Sequence, residues 1–197
     1  EILEIRSELD LRKPGKDDGG QDACWWDKDG KYIKIPMEQY SCIIPEFQGA
    51  ANSGAEYEES SPEAIRQIFA FLSDEQNYPV YYHCNSGADR TGTLTFLIGG
   101  LLGVSYEDLT RDFEMTSFSY YGARWRSSID EGGRFDAGGV MQDNEKNYIA
   151  WGEMYALLTD NYCGEDDSLS AAIENYLVTA CGVEQAHIDA LKDIMLE

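Results

Sequence analysis

The chain has 197 residues and a formal net charge of -22, from 37 acidic against 15 basic side chains. That balance argues against nucleic acid, whose binding depends on neutralising phosphates with Lys and Arg, and against an anionic membrane surface. A hydrophobic content of 43%, with 12% aromatic, excludes a disordered polymer and fits one globular domain over residues 1–197 with chain enough for a sizeable core.

In chain order, Ile2 to Leu11 mixes Ile2, Leu3, Ile5, Leu9 and Leu11 with charges and predicts one or two short strands. Asp17-Asp18-Gly19-Gly20, within Pro14 to Asp22, predicts a turn or exposed loop. Tyr32, Ile33 and Ile35 predict another strand, ended by Pro36. Ser41 to Ser61 is long and weakly patterned and reads as solvated loop or as a flap. Ser61 is placed to cap a helix with Pro62 in its first turn, and Ile65, Ile68, Phe69 and Leu72 follow at helical spacing.

Tyr78 to Tyr82 then predicts a strand and Thr93 to Leu102 a helix. Gly103 ends that helix and Ser105 caps the next, which carries Tyr106, Leu109, Phe113 and Glu114. Ser117 to Gly139 is irregular and rich in Gly and Arg. A long helix from Asn144 bears Tyr148, Trp151, Tyr155 and Leu158, and helices over Ser168 to Ala180 and Glu184 to Leu196 close the chain. Strands alternating with helices predict an α/β fold: a short central sheet flanked by helices, with a helical C-terminal bundle over residues 144–197.

The five cysteines Cys24, Cys42, Cys84, Cys163 and Cys181 have no metal-ligand spacing, and His83 and His187 are the two histidines. No metal site and no cofactor is expected from that inventory. An odd cysteine count suits a reducing compartment. The chain begins at Glu1 rather than Met, which reads as a processed or trimmed form and leaves cytoplasm and export both open. No apolar run approaches transmembrane length.

The chemistry concentrates in His83-Cys84-Asn85-Ser86-Gly87-Ala88-Asp89-Arg90-Thr91-Gly92. A strand turning sharply into a helix points backbone N–H groups and the positive helix end at one spot, which suits an anion. The same field favours a thiolate at Cys84. Arg90 adds a forked, permanently charged donor that matches two phosphate oxygens. Nucleophile, oxyanion cradle and clamp fall in one short loop. The bland alternative is a buried, inert Cys84 beside a surface Arg90.

This stretch resembles the His-Cys-x5-Arg-Thr/Ser signature of the cysteine-based protein tyrosine phosphatase superfamily. With Gly87, Asp89, Arg90, Thr91 and Gly92 it is most similar to the bacterial tyrosine phosphatases, some of which also act on phosphoinositides. Asp10-Leu11-Arg12 resembles a triplet that bacterial members carry on an early strand. The tail from Ser168 to Leu196 resembles their closing helices. The resemblance implies the same α/β fold, with the loop between strand and helix.

It also implies hydrolysis of phosphate monoesters through a phosphocysteine. Cys84 attacks phosphorus, and the N–H groups of Asn85, Ser86, Gly87, Ala88, Asp89 and Arg90 hold the phosphate with the Arg90 guanidinium. Thr91 is placed to donate to the Cys84 sulfur, a role that in the family eases departure of the thiolate. His83 supports the loop by hydrogen bonding, or is simply a satisfied core residue.

The leaving group needs a proton, and the Trp-Pro-Asp motif that supplies it in many members is absent. Asp89 is the first candidate, with a loop-shaping salt bridge as its alternative role. Glu38 and Glu46 are the other candidates. Ala88 stands where phosphoinositide-accepting relatives often carry lysine, which favours phosphotyrosine in a protein or peptide. Arg124, Arg126 and Arg134 either restore a basic rim or are ordinary surface charge. Trp25, Trp26 and Trp125 read as packing residues. Three other readings stay open: a phosphoinositide or broad-specificity phosphatase, a phosphate-binding pseudophosphatase, and, more remotely, a sulfurtransferase.

Overall fold

The computed structural model describes residues 4–14, 30–49, 56–118, 141–164 and 168–196, of which 141–146 are described as backbone only. Three parallel strands form the sheet seen among these residues: β1 (Ser7–Asp10), β2 (Lys31–Lys34) and β3 (Val80–His83), in the order β2-β1-β3. Asp10 stands opposite Lys34 on one side and His83 on the other.

Side chains alternate across the pleat, so the in-register strands share two faces. Leu9, Ile33, Val80 and Tyr82 line one face and join the core. Glu8, Asp10, Tyr32, Lys34, Tyr81 and His83 line the other. Because β1 is central, all four of its residues are buried, both carboxylates included. The α/β architecture agrees with the sequence expectation. The predicted second strand lies one residue earlier, although the Ile35 N–H still reaches the Asp10 carbonyl at 3.0 Å.

The segment after β2 differs from the loop or flap expected of it. Tyr40–Ile43 forms a short 3-10 turn, and Tyr40, Ser41, Cys42, Ile43 and Ile44 are all buried. No apolar period announces it, because distant partners hold it. The Tyr176 hydroxyl donates to the Ile43 carbonyl at 2.8 Å, and Ser41 Oγ donates to Glu153 at 2.9 Å. Residues 50–55, within the same expected loop, lie outside the described residues.

Helix α1 (Ser61–Leu72) buries Ile65, Ile68, Phe69 and Leu72 as their spacing predicts. Its cap is displaced by one: Ser60 is the boundary residue and its hydroxyl turns to Glu58 at 3.3 Å instead of capping. Helix α2 (Asp89–Leu101) follows the motif loop, and Gly103, at φ +89, takes the left-handed conformation that ends it. Helix α3 (Tyr106–Met115) is capped by Ser105, whose Oγ accepts from the Asp108 N–H at 3.1 Å.

Helix α4 (Met141–Tyr162) begins three residues before the expected Asn144. Helices α5 (Leu169–Thr179) and α6 (Gln185–Leu196) follow. Helix α2 packs against α3 and α5, α5 against α4, and α6 against α1.

Trp151 of α4 ties this layer together. It stacks on Phe113 at 4.3 Å, meets Phe96 edge-on at 5.0 Å and donates its ring N–H to Thr110 at 3.1 Å. Among the described residues no helix is long and apolar enough to cross a membrane.

Candidate active site

Cys84 follows the last residue of β3, and α2 begins five residues later. It therefore sits at the carboxyl end of a parallel sheet, where open α/β folds bind ligands. Gly87, at φ +70, makes the left-handed turn that a side chain would strain. Asn85 and Gly87 are exposed, Ser86, Asp89 and Arg90 half-buried, and Ala88 fully buried.

The Cys84 side chain lies at the floor of this turn, with only 5% of the residue exposed. Burial alone pushes its thiol up. The Thr91 hydroxyl, the N–H groups of Thr91 and Ser86, and the Arg90 charge act the other way. They prevail, and the net pKa is lowered from the ordinary 9.0. Ser86 lies in the turn and Thr91 in the first turn of α2, so loop and helix start each bring an N–H to the sulfur.

Thr91 Oγ1 is buried and has no fully formed hydrogen bond. The sulfur is the group it acts on, at a geometry short of a complete bond. An unsatisfied buried hydroxyl costs about 1–3 kcal/mol, so this donor favours whichever state of Cys84 accepts best, the thiolate.

Support comes from the polar face of the sheet. His83 places Nδ1 3.0 Å from the Cys84 carbonyl oxygen and Nε2 3.0 Å from Glu8 Oε1. Both ring nitrogens are thereby engaged, and the Tyr81 ring stacks on the imidazole at 5.1 Å. Sequence reasoning found His83 and missed Glu8, because a glutamate in a strand reads as a solvent-facing residue.

Asp10 and Arg12 form a buried bidentate pair, with Nε to Oδ1 at 2.9 Å and Nη2 to Oδ2 at 3.0 Å. The Arg12 N–H and the Tyr32 hydroxyl also donate to Asp10, at 2.9 and 2.8 Å. Burial pushes the Asp10 carboxyl up, but these donors outweigh it and hold the pKa at about 2. The Asp10-Leu11-Arg12 triplet thus stabilises the strand end beside the motif loop.

Asp89 opens α2. Its Oδ1 accepts from the Tyr40 hydroxyl at 2.6 Å. The Tyr40 N–H donates to Thr93 Oγ1 at 2.8 Å, and that hydroxyl donates to the Asp89 carbonyl at 2.8 Å. The 3-10 turn is thereby fastened to the first turn of the motif helix. Neither Tyr40 nor Thr93 carries a sequence signal for this; the tyrosine stands just before the weakly patterned stretch that begins at Ser41.

The other two candidate acids are placed differently. Glu38 pairs with Lys13, and its bond holds that ammonium more firmly protonated. Glu46 accepts from the Tyr162 hydroxyl at 2.8 and 2.7 Å on an exposed surface. Arg124, Arg126, Arg134, Trp25, Trp26 and Trp125 lie outside the described residues.

A buried sulfur with a lowered pKa, two amides on it and a guanidinium beside it can attack an electrophile whose oxygens need an anion site. Comparison with known proteins points the same way. A curated tyrosine-protein phosphatase of Nostoc commune is 25% identical over 162 residues, covering 81% of this chain and 52% of that protein. The chain therefore spans about half the length of that relative. The sequence pattern of the tyrosine phosphatase family matches residues 1–197. The chain belongs, over its whole length, to the tyrosine phosphatase family.

Proposed function

We propose that this chain hydrolyses phosphate monoesters, chiefly phosphotyrosine in a protein or peptide, with Cys84 as nucleophile. The observation that carries the reading is the placement of Cys84, buried at the carboxyl end of β3 where Gly87, at φ +70, turns the chain into α2. The thiolate attacks phosphorus, a P–S bond forms and the P–O ester bond breaks. The N–H groups from Asn85 to Arg90 and the Arg90 guanidinium take the equatorial oxygens. Asp89 gives a proton to the departing oxygen. Water then attacks the phosphocysteine, Asp89 takes its proton, and inorganic phosphate leaves as the Thr91 hydroxyl receives the thiolate. Apart from the attacking water, each step uses groups the protein itself supplies.

Phosphotyrosine is favoured over polyphosphorylated lipid for two reasons. Ala88 is fully buried and adds no positive charge to the rim. The net charge of -22 repels polyanions at long range. The test is phosphate release from a phosphotyrosine peptide and from phosphoinositide vesicles, with acid-quenched trapping of labelled phosphoprotein. We expect turnover of the peptide, a covalent phosphoprotein and loss of both in Cys84→Ser. Undiminished release by that variant overturns the reading.

A further inference from the structure

We propose that Tyr40 is a positioning residue for protonation of the leaving group, acting through Asp89. The inference rests on the reading of Asp89 as proton donor and adds the group that aims it.

Three observations converge on Tyr40. Its φ is +52, a left-handed conformation that costs a non-glycine residue about 1–3 kcal/mol and persists only where its surroundings enforce it. Its phenol reaches Asp89 Oδ1 at 2.6 Å, a short bond. Its N–H is held by Thr93 Oγ1 at 2.8 Å, and Thr93 is itself bonded to the Asp89 carbonyl. Main chain and side chain of one strained residue are thus both tied to the residue that opens the motif helix.

The ring is buried and meets Phe113 edge-on at 6.0 Å, so the phenol has little freedom to swing away. An aspartate at a helix start has a two-bond side chain and several accessible rotamers. A bond to one carboxyl oxygen selects a single carboxyl plane. A proton donor is effective only within hydrogen-bond reach of the departing oxygen, and small misplacements are costly. Tyr40, in this left-handed conformation, delivers its phenol to Asp89 from 49 residues away in sequence.

The discriminating experiment compares kcat/KM, which reports the steps up to release of the leaving group, on phenyl phosphate, a poor leaving group, and on p-nitrophenyl phosphate, a good one, for wild type, Tyr40→Phe, Asp89→Asn and the double variant. For phenyl phosphate, we expect Asp89→Asn to lower kcat/KM on the order of 10²-fold and Tyr40→Phe about tenfold. Both should change kcat/KM for p-nitrophenyl phosphate by less than about twofold, because a good leaving group departs without the proton; the loss of Asp89 as base in the shared hydrolysis step falls on kcat for both substrates. Adding Tyr40→Phe to Asp89→Asn should cost nothing further, since the phenol acts through the carboxyl.

Equal losses on both substrates, or no loss on either, overturn the role of Tyr40 while leaving Asp89 in place. Absence of leaving-group bias in Asp89→Asn overturns the acid assignment and this inference with it. The nucleophile is judged separately by Cys84→Ser. If Tyr40→Phe does not fold, Thr93→Val, which releases the Tyr40 N–H, should show the same bias; uniform loss there also counts against the proposal.

Discussion

On one face of the sheet, Glu8 and Asp10 are buried carboxylates answered by His83, Arg12 and Tyr32. Behind the other face, Trp151, Phe113 and Phe96 interlock in a layer of helices, and the Trp151 ring N–H is satisfied by Thr110. The first region spends charge desolvation to fix the strand end and motif loop in one arrangement. Buried ion pairs return little net stability for that cost. The second region supplies stability through apolar area and ring contacts. The two faces of the same three strands thus do different work: one fixes the end of β3 ahead of the motif loop, the other joins the apolar core. Substitutions should therefore separate the two.

The largest expected effect is at the sulfur. Cys84→Ser should lower phosphate release on the order of 10⁴-fold or more, as for other covalent nucleophiles. The urea midpoint should change little: Cys84 belongs to the apolar core, but serine keeps most of the side chain's volume. A parallel fall in stability would break the division drawn above. Trp151→Ala should do the reverse. Losing a fully buried indole costs about 3–5 kcal/mol, read from urea unfolding, while the folded fraction keeps turnover within a few-fold.

The third effect sharpens the account of the polar face. Asp10 is held at about 2 against an ordinary 3.8, so it is a depressed carboxylate. Its contribution is fully present above pH 4 and is lost as pH falls through about 2. The amount is about 2 kcal/mol. Urea midpoints between pH 5 and pH 2 should fall less steeply in Asp10→Asn than in wild type. Identical slopes would mean that the Arg12 pair does not set the acid stability.

These expectations also show what the sequence made legible. The strand, turn and helix around Cys84, Arg90 and Thr91 were readable because the pattern is local: β3, the turn at Gly87 and the start of α2 follow one another in sequence. The helices from Ile65 to Leu72 and from Tyr106 onward were readable from periodicity and from Ser105. Tyr40 and Glu8 were not. Each acts across the fold, on Asp89 and His83, and a pairing 49 or 75 residues away leaves no local pattern. The cap of α1 was misplaced by one residue because Ser60 and Ser61 are adjacent and both suit the role. Neither hydroxyl caps the helix: Ser60 turns to Glu58, and Ser61 Oγ is buried without a hydrogen-bond partner among the described residues.

The smallest effect tests the helical layer at its tightest point. A Cβ on Gly100 would stand 2.4 Å from Ile173 Cδ1 and 3.3 Å from Leu169 Cδ2. Two forces oppose each other in Gly100→Ala. Helix propensity gains up to about 1 kcal/mol, and overpacking costs about 1–3 kcal/mol. Ile173 is itself fully buried, so its methyl has little room to yield, and a net loss of about 1 kcal/mol is expected. Gly152, in α4, is the control. Its added Cβ would meet only the Tyr106 hydroxyl, at 3.7 Å, an ordinary contact. Gly152→Ala should therefore gain most of the propensity term, up to about 1 kcal/mol. Opposite shifts in urea midpoint for the two alanines, with turnover unchanged in both, would show that close helix approach and not backbone freedom is why α2 carries glycine there. Shifts of the same sign would remove that explanation.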